Sequence, residues 1–330
     1  MTRPTTLRWL GLALLAACGG SATVASTETT ADAVAIEAPA PEPDPTAYLP
    51  ADTYLLVEVD VARLRTSPYY PMVVEALKAT DEIDAQREDL LHTLAERTSR
   101  IWFAGVPTAP GRGGDLGCII VQGDYDPGQP EAALRQMVPN PEDLQQTEVA
   151  GHMALESRGG MMAQLTERAW IIGPPDRVKP LLLDPPGNFA AASDPAWAQA
   201  RQWLPADAGI TLVALGTDAL RYDMAHESPM DDATAAHLRA AGVAFDAADG
   251  LDVAGMVLMD DGAVAESVVQ WVDATLAQLA QNMIVSMLSL GPILESVDAR
   301  AEGTVAGARL HVADGEVRRL LGMLPNMLAQ

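Results

Sequence analysis

Five histidines stand in this chain, His92, His152, His226, His237 and His311. Imidazole is a common metal ligand, but a zinc site needs its ligands at a fixed spacing. None of the five forms a His-Glu-x-x-His pair, and none lies beside a cysteine. The one grouping able to close around a metal is His226, Asp231, Asp232 and His237, where two imidazoles bracket two carboxylates. A loop folding back there would suit a metal-dependent hydrolase. Without a ligand period, the same segment reads as a solvated loop and the start of a helix. Asp124-Tyr125-Asp126-Pro127-Gly128 and Asp260-Asp261-Gly262 place carboxylates where strands run into helices. Calcium wants more oxygens, in the order Asp-x-Asp-x-Asp-Gly with a later Glu. Helix caps and turns are the better reading. The Gly-rich loop 111–117 lacks the lysine of a phosphate cradle and opens no helix. No Gly-x-Ser-x-Gly elbow offers a nucleophile. No catalytic residue, metal site or cofactor is therefore expected.

One segment invites a binding role. Residues 274–294 carry no charge. Val264, Val268, Val272, Leu276, Leu279, Met283 and Met287 recur at helical steps of three and four. Gln278, Gln281 and Asn282 sit centrally and Gly291-Pro292 breaks the run, which argues against a membrane span. Two readings follow. In one, a helix over 263–290 buries Val268, Val272, Leu276, Leu279 and Met283 against a sheet. In the other, Met283, Met287, Met323 and Met327 line an apolar groove whose flexible thioethers accept varied partners or acyl chains.

The first twenty residues carry an address. Arg3 and Arg8 give a basic start, and Trp9 to Ala17 give an apolar run too short to span a bilayer. Leu15-Ala16-Ala17-Cys18-Gly19-Gly20 follows directly. The segment resembles a bacterial lipoprotein signal, whose lipobox ends in Leu, two small residues and Cys. The resemblance implies removal of residues 1–17 and acylation of Cys18, with palmitate-type chains holding the protein at a membrane. Two acyl chains anchor firmly, at ~0.8 kcal/mol per buried methylene. The implied location is the cell envelope, at the outer membrane facing the periplasm or the cell surface, since Gly19 rather than Asp follows the cysteine.

Charge narrows the partners. The net charge is −24, and Lys78 and Lys179 are the only lysines. A phosphate-binding surface needs clustered Lys and Arg, so nucleic acid is excluded. An acidic domain is also repelled by anionic lipid, which leaves attachment to the acyl anchor. Cys118 is the second of two cysteines and lies in an apolar strand, Leu116-Gly117-Cys118-Ile119-Ile120-Val121. With Cys18 acylated it has no disulfide partner. It reads as a small buried hydrophobe.

Residues 18–47 are a tether of Ala, Thr, Glu and Pro without apolar period. The 330 residues leave room for two bodies of ordinary size, 48–203 and 204–330. Their phrases match: Leu49-Pro50-Ala51-Asp52 opens a strand over 54–60, and Leu204-Pro205-Ala206-Asp207 opens another over 209–215. Arg63-Leu64-Arg65 follows the first, Ala219-Leu220-Arg221 the second. Each half then runs through a strand and helix, 117–126 into 129–137 and 251–261 into a helix from 263. Strands at 100–106, 152–156, 161–166 and 169–172 complete the first half. The order predicts α+β architecture in two similar halves, each an antiparallel or mixed sheet with helices packed on one face. The Leu-Pro-Ala-Asp-Thr opening is similar to uncharacterised envelope proteins of Gram-negative bacteria, which implies no activity. The expectation is a non-enzymatic, lipid-anchored envelope protein acting on a protein or apolar ligand by binding or structural interaction. A carrier or chaperone for a hydrophobic ligand is the alternative, and a metal-dependent hydrolase the third.

Overall fold

The computed structural model describes residues 44–73, 93–107, 114–138, 140–227, 230–282, 285 and 290–328. Cys18, the tether to residue 43, Met283 and Met287 lie outside them.

Strands of the first half are β1 (Leu55–Asp60), β2 (Thr98–Val106), β3 (Asp115–Gly123), β4 (Gln145–Val149), β5 (His152–Glu156), β6 (Met161–Thr166) and β7 (Ala169–Gly173). Those of the second are β8 (Ile210–Leu215), β9 (Leu238–Asp246), β10 (Leu251–Met259), β11 (Asp298–Glu302) and β12 (Val305–Val312). They form one sheet of twelve strands, ordered β11-β12-β10-β9-β8-β1-β2-β3-β7-β6-β5-β4. Neighbouring strands are antiparallel throughout. The halves meet at β1 and β8, with Leu55 opposite Ala214 and Val59 opposite Ile210.

Outward from that seam the halves match. The first runs β1, β2, β3, β7, β6; the second runs β8, β9, β10, β12, β11. The β5–β4 hairpin extends the first half beyond its counterpart. A side-chain detail repeats as well. Arg65 donates to the carbonyls of Ala95 and Glu96, just ahead of β2. Arg221 donates to the carbonyl of Leu238, where β9 begins. Each guanidinium pins the chain as it enters the second strand of its half.

Helices are α1 (Val61–Thr66), α2 (Gln129–Met137), α3 (Pro175–Leu183), α4 (Pro195–Trp203), α5 (Asp218–Glu227), α6 (Asp232–Ala235), α7 (Gly262–Ala280), α8 (Gly291–Glu295) and α9 (Asp314–Leu328). The α+β class with antiparallel sheet is as read from the sequence. The helices, however, lie on both faces rather than one. The cause is in the central strands, which are apolar on both sides. Trp102, Ala104, Cys118 and Ile120 pack with Val178, Leu181, Trp197 and Ala200 of α3 and α4. Ile101, Phe103, Val57 and Val59 face the other way, against Val61 and Leu64 of α1. A single covered face would leave one of these rows in water.

Helix α4 precedes the second half in sequence but lies over its strands β8, β9 and β10. Gly307 of β12 leaves room for Trp203 at the end of α4: a Cβ there would stand 2.1 Å from the ring. Arg309 covers the same indole at 4.9 Å.

Candidate functional site

Among the described residues, those proposed from sequence do not converge. Cys18, Met283 and Met287 lie outside the described residues; Met323 and Met327 fall on α9, where their side chains are also outside them. His226 stacks on Tyr222 at 4.0 Å, and its Nδ1 meets the Tyr222 carbonyl at 2.8 Å. His237 pairs with Asp260 at 2.5 Å, and Arg239 holds the other oxygen at 2.8 Å. These partners, His237 first, keep the Asp260 carboxyl below its ordinary range. Asp231 caps α6 by accepting from the Thr234 N–H at 2.7 Å. Among the described residues no three His, Cys, Asp or Glu side chains group to hold a metal. Asp126 faces Arg97 at 3.5 Å, and Asp261 caps α7 through the Ala263 N–H at 2.7 Å. These carboxylates serve as caps and ion-pair partners.

Helix α7 is shorter than its apolar stripe. It ends at Ala280. Val268 is buried, and Val264 and Val272 pack beside it with Leu238, Met259 and Ala306. Burial then fades, and Leu279 and Trp271 are 41% and 40% exposed. No described helix is long and apolar enough to cross a membrane.

A concavity lies between α2 and the outer strands of the first half. Its volume is about 360 Å³. Glu131, Arg135, Gln146, Met153, Ala154, Leu155, Met162, Gln164 and Trp170 line it. The register explains the floor. Gln146 stands opposite Leu155 and Leu155 opposite Met162, one row across β4, β5 and β6. Gln164 stands opposite Trp170, in the next row of the same face. Period-two alternation turns both rows toward α2.

The roof explains why a gap remains. α2 begins at the left-handed Gly128 (φ 78°) and has nine residues. At ~1.5 Å per residue that is about 13 Å. Leu134 and Val138 seal one side against Leu144, Leu155, Met162 and Trp170. Glu131 and Arg135, one turn apart, face the rest. In the second half the nineteen-residue α7 lies over β10, β12 and β11, with Val268 buried among Leu238, Met259 and Ala306.

Two polar atoms beside the pocket are sealed from it. Oε2 of Glu131 and the indole N–H of Trp170 are buried without a hydrogen-bond partner among the described residues. Trp170 is 5% exposed. Tyr125 fixes its ring, edge-on at 5.0 Å and 86°. The Tyr125 hydroxyl in turn lies 2.6 Å from Thr98 Oγ1, which donates to the Leu94 carbonyl. Leaving a buried donor or acceptor unpaired costs about 1–3 kcal/mol.

None of these lining residues stands out in sequence. An acid and a base four apart on a helix resemble any solvated face. The legible signal was the helix over 129–137 and the strands after it.

No family model and no curated protein sequence matches the chain. Solved structures are similar at low identity. Crystal form I of TP0453 matches at a TM-score of 0.45 and 11% identity, covering 86% of this chain and 97% of that one. Crystal form III gives 0.48 and 10%, covering 86% and 98%. Crystal form IV gives 0.49 and 8%, covering 86% and 96%.

Proposed function

We propose that this protein is a lipid-anchored envelope protein that acts by binding a small ligand in the pocket beneath α2. The observation that carries the binding role is the pocket of about 360 Å³, which apolar, amide and charged side chains line together. The anchor rests on the basic start, short apolar run and Leu15-Ala16-Ala17-Cys18. Acylated at Cys18, the chain would hold the pocket near a membrane through its tether. The test uses protein purified natively from detergent-solubilised envelopes. Small molecules released on heating are read by mass spectrometry. A Gln146→Trp variant, which sets an indole at the exposed edge of the pocket, is run beside it. A species released by the wild type and lost from the variant supports the reading. Equal release from both, or release from neither, overturns it.

A carrier for an acyl chain is the second reading, favoured by the exposed Trp271 and Leu279 on α7. It expects a fluorescent fatty acid to bind the wild type and to be lost from a Trp271→Ser, Leu279→Ser variant that melts normally. Unchanged binding in that variant removes it.

A further inference from the structure

We propose that two copies of this protein pair edge to edge through β4, antiparallel about a two-fold axis at Thr147, so that their sheets run on as one. β4 ends the strand order, and among the described residues no strand lies beyond it. The turn into β5 fixes which backbone groups face that open side. Ala150 and Gly151 both have positive φ, 52° and 85°, the conformation of a two-residue hairpin loop. Val149 and His152 flank the loop as a hydrogen-bonded pair. Bonded and non-bonded pairs then alternate back along the hairpin, so Thr147 and Gln145 also bond to β5. Gln146 and Glu148 turn their N–H and C=O groups outward. These are the donors and acceptors that an added strand takes up.

A second copy of β4 complements that edge in one register. With Thr147 on the axis, the N–H and C=O of Gln146 meet those of the second copy's Glu148, and the axis repeats the exchange. Side chains two apart share a face, so Gln146 and Glu148 lie together on the side that carries α2. There the Gln146 amide donates to the carboxylate of the second copy's Glu148. The strand's one charge thus meets a neutral donor. On the other face Thr147 meets its own copy in a close, non-hydrogen-bonded pair, where hydroxyls bond one another. Sliding the strands until Glu148 faces itself sets like charges opposite. The far edge of the sheet is built differently. β11 reads Asp298-Ala299-Arg300-Ala301-Glu302, and Arg300 reaches Asp298 at 3.1 Å and Glu302 at 3.8 Å. The same two-fold pairing there sets Arg300 against itself and Asp298 against Glu302. Charge guards that edge. β4 has no Lys, Pro or bulge, and its Gln145, Gln146 and Glu148 are exposed.

A strand of five residues buries little area, and interfaces below ~1,200 Å² are typically transient, so the dimer should form in the micromolar range. The test is sedimentation velocity of the full protein in detergent at rising concentration. The wild type should shift from monomer to dimer. Glu148→Pro removes an outward N–H and keeps the bonds to β5, as proline on an edge strand can. It should weaken the dimer about tenfold or more. Ala301→Pro makes the same change on the outward side of β11 and should leave the dimer intact. Thermal melting verifies both folds. Single cysteines under mild oxidation read the register, with the wild type, whose Cys118 is buried, as the blank. Thr147→Cys should link two copies by a disulfide. Gln145→Cys, at least about 13 Å from its own copy in this register, should not. A wild type that stays monomeric overturns the proposal. So does a dimer that Glu148→Pro leaves intact, or one that Ala301→Pro breaks. Should Glu148→Pro fail to fold, the cysteines decide: equal linkage through both, or through neither, overturns the pairing. None of these outcomes depends on a ligand in the pocket, so the pairing and the binding reading fail separately.

Discussion

Tyr125 shows how single residues hold the pocket in shape. Its ring sits edge-on to Trp170, and Gly123 makes room for it: a Cβ at Gly123 would meet that ring at 2.6 Å and the Arg97 carbonyl at 2.5 Å. Burial pushes the Tyr125 hydroxyl up to about 12, from an ordinary 10. Burial does the same to the Cys118 thiol, from 9 to about 12. Both groups fold in their neutral forms. A folded pKa above the unfolded one gives stability that is whole below the unfolded value and lost as pH rises through the folded one. The urea midpoint should therefore hold to about pH 9 and fall steadily toward pH 12. A Cys118→Ala, Tyr125→Phe protein should show a shallower alkaline fall; an identical slope would assign it to other groups. Cys118 was legible as a buried hydrophobe from its apolar neighbours. Glu131, Arg135 and Trp170 were not legible as a site. They come together only through the way α2 sits across the outer strands.

Strands and helices were legible where local pattern and packing agree. The strands over 152–156 and 161–166 and the helix over 129–137 have the boundaries read from sequence. β4 was missed because Gln145-Gln146-Thr147-Glu148-Val149 is an edge strand, mostly exposed, without apolar alternation. β9 was missed because Ala240, Ala241, Gly242 and Ala244 look unlike a core. Gly242 is small because Leu204 presses on the strand: a Cβ there would lie 2.8 Å from its Cδ1. Helix α7 is the instructive difference. Its stripe continues in sequence past the point where the sheet stops supporting it. Val268, 7% exposed, packs with Leu238, Met259 and Ala265, while Leu279 stands 41% exposed. Val268→Ala should cost about 1–3 kcal/mol, from lost methyl burial and the cavity left behind. Leu279→Ala should stay within about 0.5 kcal/mol of wild type. Urea titrations of the pair check this; equal losses would mean that the end of α7 is covered.

At the scale of the whole molecule, the segments on either side of residue 204 form one sheet. β1 and β8 pair along their length, so neither half has a sheet edge at the seam. The largest core joins Trp102 and Ile120 of the first half to Val213, Ala244 and Met256 of the second through α4. Tethered ahead of this body, Cys18 should take a fatty-acid label in cells that Cys18→Ala loses; label kept by the variant would refute the anchor. The seam bears on how the body unfolds. Arg63 of α1, in the first half, grips Asp246 at the end of β9 with contacts of 2.6 and 2.9 Å. That hydrogen bond, chiefly, holds the Asp246 carboxyl below its ordinary 3.8. A depressed folded pKa gives stability that is whole above the unfolded value and lost as pH falls through the folded one. Arg63→Gln should therefore lower stability at neutral pH by about 1–2 kcal/mol, discounted for the partial exposure of both groups. It should also flatten the decline below about pH 4. Because the core crosses the seam, the loss should appear as a downward shift of one cooperative transition in scanning calorimetry. Two separated heat peaks, with only one moved by Arg63→Gln, would show that the halves unfold as independent units.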